Sequence, residues 1–306
     1  MFRRSDGNTS ISPENIAGQS LSVGFRPLPQ TTPISPEVNP ATMGSMPRDG
    51  GNLIVEPDEY DEVMADPIAA KFVRPFRMGR EIVRGTDRWC LWLENIDPRE
   101  ISKSPILQQR LTAVKEFRER SKANSTQEMA NTPHLFGQRS QKDVWRLCIP
   151  KVVSERRVYY TAQTISPDVI PGDKVYVVND PDGLQFALIS SSMFITWQKT
   201  IGGRLKSDIS FANTLTWNTF PTPALSEKIK ECIIRAGQSV VSARDLYPER
   251  SLADHYNPLA MDSALVKAHD ALDREIDRAF GATRKLTNER QRQELLFANY
   301  FKLTQY

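Results

Sequence analysis

The pattern of the chain changes at Pro221 and Pro223, and that change limits what it can fold into. Beyond them, apolar residues recur three to four apart: Ile229, Ile233, Ala236, Val240 and Ala243, then Leu265, Ala268, Leu272, Ile276 and Ala279. This is the period of amphipathic helices. The first helix is expected to start at Ser226. The second is expected to be capped by Asp262 and ended by Gly281, and a third runs from about Asn288 to Leu303. Before the prolines, residues 143–220 hold short runs of β-branched and aromatic residues bounded by turn signals. Two prolines so close fit inside neither a helix nor a central strand. The chain is therefore expected to be α+β, a β-rich part with flanking helices followed by a small helical part.

Within the β-rich part, Val144–Ile149, Val158-Tyr159-Tyr160, Lys174–Val178 and Gln185–Ile189 read as strands. The last two flank Asp180-Pro181-Asp182-Gly183, which predicts a β-hairpin. Ser191 to Gly202 reads as a short amphipathic helix with Met193, Phe194 and Trp197 on its apolar side. Asp49-Gly50-Gly51-Asn52, a turn, followed by Leu53-Ile54-Val55, gives the first compact signals; 72–76 and 88–93 read as extended, and Asp58 to Ala70 as a short helix. A longer helix over 105–121 starts at Pro105 and places Leu107, Leu111, Val114 and Phe117 on one face. Its other face, with Arg110, Lys115, Arg118, Arg120 and Lys122, is either solvated or turned to phosphates. Residues 1–45 are crowded with prolines, at 27, 29, 33, 36 and 40, and are expected to be extended or disordered. This gives three parts: 1–45, 46–223 and 224–306.

A net charge of +3 over 306 residues gives no global field for a polyanion, so any nucleic-acid surface must be a local patch. Cys90, Cys148 and Cys232 are odd in number and far apart, which suits reduced thiols in a cytoplasmic protein. His134, His255 and His269 have no metal-site spacing. No apolar run is long enough to span a membrane, and the N-terminus lacks the apolar core of a secretory signal. No (Asn/Asp/Ser)-Pro-Pro-(Tyr/Phe) loop is present to hold a flipped adenine. No Gly-rich turn suits a methyl-donor cofactor; Ile201-Gly202-Gly203-Arg204 comes nearest and lacks the context. Asp173-Lys174 fails the spacing of a Mg²⁺-dependent nuclease motif. Neither a catalytic residue, a cofactor-binding residue nor a metal ligand is expected in this chain.

The stretch Gly203-Arg204-Leu205-Lys206-Ser207-Asp208 is different. Lys206 and Asp208 are opposite charges two residues apart, and on an extended or sharply curved backbone both side chains point the same way. Lysine donates to guanine O6 and N7, and a carboxylate accepts from the paired cytosine N4. One Lys-x-Asp can therefore read both halves of a G·C pair. The alternative is a solvated ion pair.

An ordered series of short motifs then carries a resemblance. Arg88-Trp89-Cys90-Leu91-Trp92-Leu93 comes first, then Thr132-Pro133-His134-Leu135-Phe136-Gly137 and Ser154-Glu155-Arg156-Arg157-x-Tyr159. Ser191-Ser192-Met193, the Gly203–Asp208 stretch and Asn218-x-Phe220-Pro221 follow. Tyr247-Pro248, Ser251-Leu252-Ala253-Asp254-x-Tyr256-x-Pro258-Leu259 and His269-x-x-Leu272-Asp273 end the series. Together they resemble the C-terminal part of MmeI-like adenine-specific DNA methyltransferases and combined restriction–modification enzymes, over roughly Met46 to Phe301.

The resemblance implies a DNA target recognition domain over 46–223 and a helical C-terminal domain over 224–306, with residues 1–45 a remnant of the join. It implies double-stranded DNA as a partner, and a separate methyltransferase or nuclease chain as another. S-adenosylmethionine would belong to a methyltransferase domain outside this chain. By resemblance, Lys206 and Asp208 read one base pair, with Ser210 and Lys174 near other base-reading positions. Arg204 falls to phosphate or to an internal carboxylate. Arg156 and Arg157, with Glu155, fall to the DNA backbone or to a core ion network. Trp89, Trp92, Trp197 and Trp217 are expected in the core, as is Cys148, and His134 is expected to be structural. The function is then sequence-specific DNA recognition. The alternatives are a truncated or split methyltransferase with its catalytic part in an upstream chain, and a decayed fragment that folds poorly.

Overall fold

The computed structural model describes residues 27–304; the expectations for residues 1–26 lie outside the described residues. The recognition part alternates short strands and helices. β1 (Ala41–Met43) and β2 (Ile54–Val55) are followed by α1 (Tyr60–Ala65), β3 (Val73–Arg77), α2 (Gly79–Arg84) and β4 (Trp89–Leu91). Three helices come next, α2 being succeeded by α3 (Pro98–Ile101), α4 (Pro105–Glu119) and α5 (Asn124–Glu128). Then come β5 (Arg146–Pro150), β6 (Val152–Val153), β7 (Gln163–Ile165), β8 (Ile170–Pro171) and β9 (Val175–Asn179). α6 (Leu184–Ile189) and α7 (Ser192–Ile201) lead into β10 (Gly203–Leu205) and β11 (Asp208–Ser210). The helical part holds α8 (Glu227–Arg244), α9 (Leu252–His255), α10 (Ser263–Ala279) and α11 (Glu289–Thr304).

The strands make three sheets, ordered β1-β9-β5-β7, β2-β4-β3-β8 and β10-β11-β6. The first is antiparallel throughout, and β5 is buried over its whole length. A strand covered on both faces reads as a continuous apolar run, as Leu147-Cys148-Ile149 does. Burial pushes the Cys148 thiol up to about 12, so it stays a neutral core group. The β1 pairing corrects the expectation for residues 27–45. Ala41–Met43 lies against Val178–Tyr176, and Val38 and Ala41 belong to the core.

The expected hairpin at 180–183 is a helix start instead. Asp180 accepts hydrogen bonds from the backbone N–H groups of Gln185 and Phe186 at 2.9 Å each, and Gly183 takes a left-handed φ of 88°. Leu184–Ile189 is buried on every side. An apolar run of that kind has no period to separate strand from helix. Val158-Tyr159-Tyr160 is not a strand either. Tyr159 stacks on His269 at 3.7 Å between centroids, and the Tyr160 hydroxyl donates to the Pro150 carbonyl at 2.7 Å.

Two cores result, and their border is not at the prolines. Leu53, Val55, Phe76, Leu91, Leu107 and Val114 belong to one, between the β2-β4-β3 sheet and α4. The other runs from the central sheet through α6 and α7 into α8, α10 and α11 without a break. Trp197 and Trp217 lie fully buried in it; Trp89 and Trp92 are half-buried against Tyr60 and Phe136.

Candidate nucleic-acid interface

β10 and β11 form a hairpin whose two-residue turn is Lys206-Ser207. Lys206 sits at φ 57°, a left-handed conformation that costs a side-chain-bearing residue about 1 kcal/mol. Lys206 and Asp208 are therefore not neighbours along one extended strand, as the spacing suggested. Lys206 stands at the apex, and Asp208 opens the return strand opposite Leu205. Cross-strand partners share a face. Leu205, Asp208, Gly203 and Ser210 thus lie on one face of the hairpin, with Arg204 and the buried Ile209 on the other.

No ion pair joins Lys206 to Asp208; the Lys206 side chain is exposed and has no partner among the described residues. Asp208 accepts a long hydrogen bond, 3.4 Å, from the Glu155 backbone N–H. Glu155 in turn sits 3.7 Å from Arg204, which also donates to the Ser207 carbonyl at 2.9 Å. Arg204 thus has an exposed carboxylate beside it while remaining half-exposed itself. Arg156, next to Glu155 in the chain, is exposed. Arg157, expected in the same role, is buried and donates to the carbonyls of Tyr256 at 2.6 Å and Ala253 at 3.2 Å. It ties the 154–157 loop to the helical part and has no face left for a phosphate.

The hairpin forms one wall of a cleft of about 990 Å³. Arg204, Leu205 and Ser210 line that wall, and Glu56, Lys151, Val152, Lys174, Met78–Glu81 and Thr86–Arg88 line the rest. Lys151 and Lys174 meet through a backbone hydrogen bond of 3.0 Å. The cleft is electropositive because its acids are already engaged. Glu56 pairs with Arg88 and Asp87 with Arg77, while buried Glu81 accepts from the Met78 N–H at 3.0 Å. Lys174 pairs with its neighbour Asp173 at 2.8 Å. Arg80 and Lys151 have no ion-pair partner among the described residues.

The structure therefore brings Arg204, Ser210 and Lys174 to one cleft, with Lys206 and Asp208 on the same hairpin but outside its lining. Arg80 and Lys151 were missed from the sequence. They have no motif, because the cleft is assembled from segments far apart in the chain. No group of three His, Cys, Asp or Glu among the described residues could hold a metal, and no helix among them is long and apolar enough to cross a membrane.

Comparison with known proteins gives a consistent result. Residues 28–224 match the family model "MmeI, target recognition domain", and residues 225–306 match "MmeI, C-terminal domain". DNA methyltransferase A of Bacillus subtilis (strain 168) is 32% identical over 300 residues, which cover 97% of this chain and 33% of the relative. A solved structure of the Type IIL restriction–modification enzyme MmeI in complex with DNA superposes with a TM-score of 0.89 at 34% identity. That match covers 93% of this chain and 38% of the MmeI chain. The chain thus spans about a third of the length of the relatives it matches.

Proposed function

Given that the chain belongs to the MmeI family, carrying its target recognition domain and its C-terminal domain, we propose that it reads the sequence of double-stranded DNA for adenine-N6 methylation. The observation that carries this reading is the β10–β11 hairpin. It holds an unpaired lysine and a carboxylate, and its Arg204, Leu205 and Ser210 line a cleft with engaged acids. Lys206 and Asp208 read one G·C pair from the major groove, and Ser210 and Lys174 contribute to neighbouring pairs. Arg204, Arg156, Arg80 and Lys151 hold phosphates and set the register.

The methyl transfer belongs to a methyltransferase part, on this protein or on a separate chain, which also binds S-adenosylmethionine. The one Gly-Gly turn singled out in the sequence for that cofactor does not suit it. Gly202 and Gly203 end a helix and open a strand, the reverse of the strand–Gly turn–helix order a nucleotide-like ligand uses. The work of this chain is therefore to bind, orient and select.

The test is selection from random duplexes followed by sequencing. Lys206→Glu combined with Asp208→Arg inverts the preference at one position from G·C to C·G, with about 1–3 kcal/mol of discrimination there. A uniform loss of affinity for all sequences would make both residues backbone contacts, and an unchanged profile would remove them from the interface.

A further inference from the structure

Leu205 is 60% exposed, although Ile209, opposite its neighbour Arg204 on the paired strand, is buried at 2%. The register explains where it points. Leu205 shares its face with Asp208 and Ser210, on the side away from the core, and lines the cleft. It makes that wall with Arg204 and is followed by the unpaired Lys206. An exposed leucine on a hairpin tip contributes little burial to folding, so its apolar surface is available to a partner. The cations around it name the partner's charge: a polyanion whose interior offers an apolar spot. In the major groove that spot is the C5 edge of a pyrimidine, methylated in thymine and bare in cytosine.

We propose that Leu205 is a specificity-determining residue that packs on the C5 edge of the pyrimidine next to the base pair read by Lys206 and Asp208. This rests on the DNA-reading function above and adds an apolar contact beside the polar one. Asp208 and Leu205 face each other across the hairpin, so the two contacts fall on adjacent base pairs and fix one another's register.

The experiment uses the 306-residue chain and the duplex it selects. Each thymine is replaced singly by deoxyuridine and each cytosine by 5-methylcytosine, and affinities are compared for wild type, Leu205→Ala and Leu205→Met. With wild type, adding or removing one methyl at the pyrimidine beside the Lys206–Asp208 pair changes affinity about four-fold, the effect of one buried methyl group. With Leu205→Ala that sensitivity disappears, and with Leu205→Met it is kept. Equal melting temperatures show that the hairpin is intact. Identical methyl profiles for wild type and Leu205→Ala overturn the proposal; if the charge swap still moves the preferred base pair, the DNA-reading function survives that failure. A wild-type chain that selects no sequence removes both.

Discussion

Arg118 was placed by helical period on the basic face of α4, yet it is fully buried. Its guanidinium donates to five backbone carbonyls, those of Arg48, Met129, Thr132, Pro47 and Leu135, at 2.7–3.0 Å. Spacing reports which face a residue is on, not whether a loop folds back over that face. The 129–135 segment does fold over it, and the arginine is the polar plug that satisfies the carbonyls. Arg118→Ala is therefore expected to cost about 4 kcal/mol, because five carbonyls lose their donors in a dry site; urea denaturation measures it. Lys206 is the opposite case, a residue strained for no packing benefit. Lys206→Gly should stabilise the chain by about 0.5–1 kcal/mol while erasing preference at the base pair proposed for it, a separation visible in paired melting and selection experiments. A variant that lost stability would show that the lysine supports the turn.

Caps and turns decided which elements could be foreseen. α10 is bounded by Asp262, which accepts from the Ala264 N–H at 2.7 Å, and by Gly281 at φ 106°; both ends were legible. α7 begins at Ser191, which accepts from the Phe194 N–H at 3.1 Å, and it too was foreseen. α6 was not, because its Asp-Pro-Asp-Gly start has the same letters as a hairpin turn and its six residues are uniformly buried. What it is for appears only in three dimensions, where it packs under α8. Gly237 of α8 faces Ala187 so closely that an added Cβ would stand 2.8 Å from the alanine Cβ. Gly237→Ala should gain helix propensity yet destabilise by about 1–2 kcal/mol, since the two helices must separate; a fall in denaturation midpoint with unchanged slope is the signature.

At the scale of the whole molecule, the seam between the recognition and helical parts is polar where the motifs are. Asp273 accepts from the Ser192 N–H at 2.7 Å and from its hydroxyl at 2.5 Å; burial pushes its carboxyl up to about 6. His269, one turn earlier, bonds the Tyr256 hydroxyl at 2.8 Å and is pushed down to about 3 by burial and by Arg244. The two act oppositely. The raised Asp273 adds stability at low pH that is lost as pH rises from about 4 to 6, because the folded state holds the proton longer. The lowered His269 subtracts stability as pH falls below about 6.5, where the unfolded chain takes up a proton first. Asp273→Asn removes only the compensating slope, so its melting temperature should fall more steeply than wild type on acidification from pH 6 to 4. Parallel curves would place the Asp273 titration at its unfolded value. On the function proposed above, DNA binding is likewise a property of the assembled cleft. Removing Arg80, Lys151 or Arg156 singly to Ala should lower the slope of log affinity against log salt by about 1 each without changing the selected sequence.

The sequence by itself determined the class, the order of the parts and the short motifs that carry the family resemblance. Periodicity, caps and an ordered series of motifs are local, and local signals survive in a string of letters. Only the tertiary structure decided that Arg157 is an internal strut, that Leu205 faces the cleft and that residues 27–45 belong to the folded unit. It also decided that the helical part shares a core with the central sheet rather than standing alone. Those outcomes depend on which distant segments come to lie against each other, and burial of a charge or exposure of a leucine is set by that neighbour, not by the residues on either side in the chain.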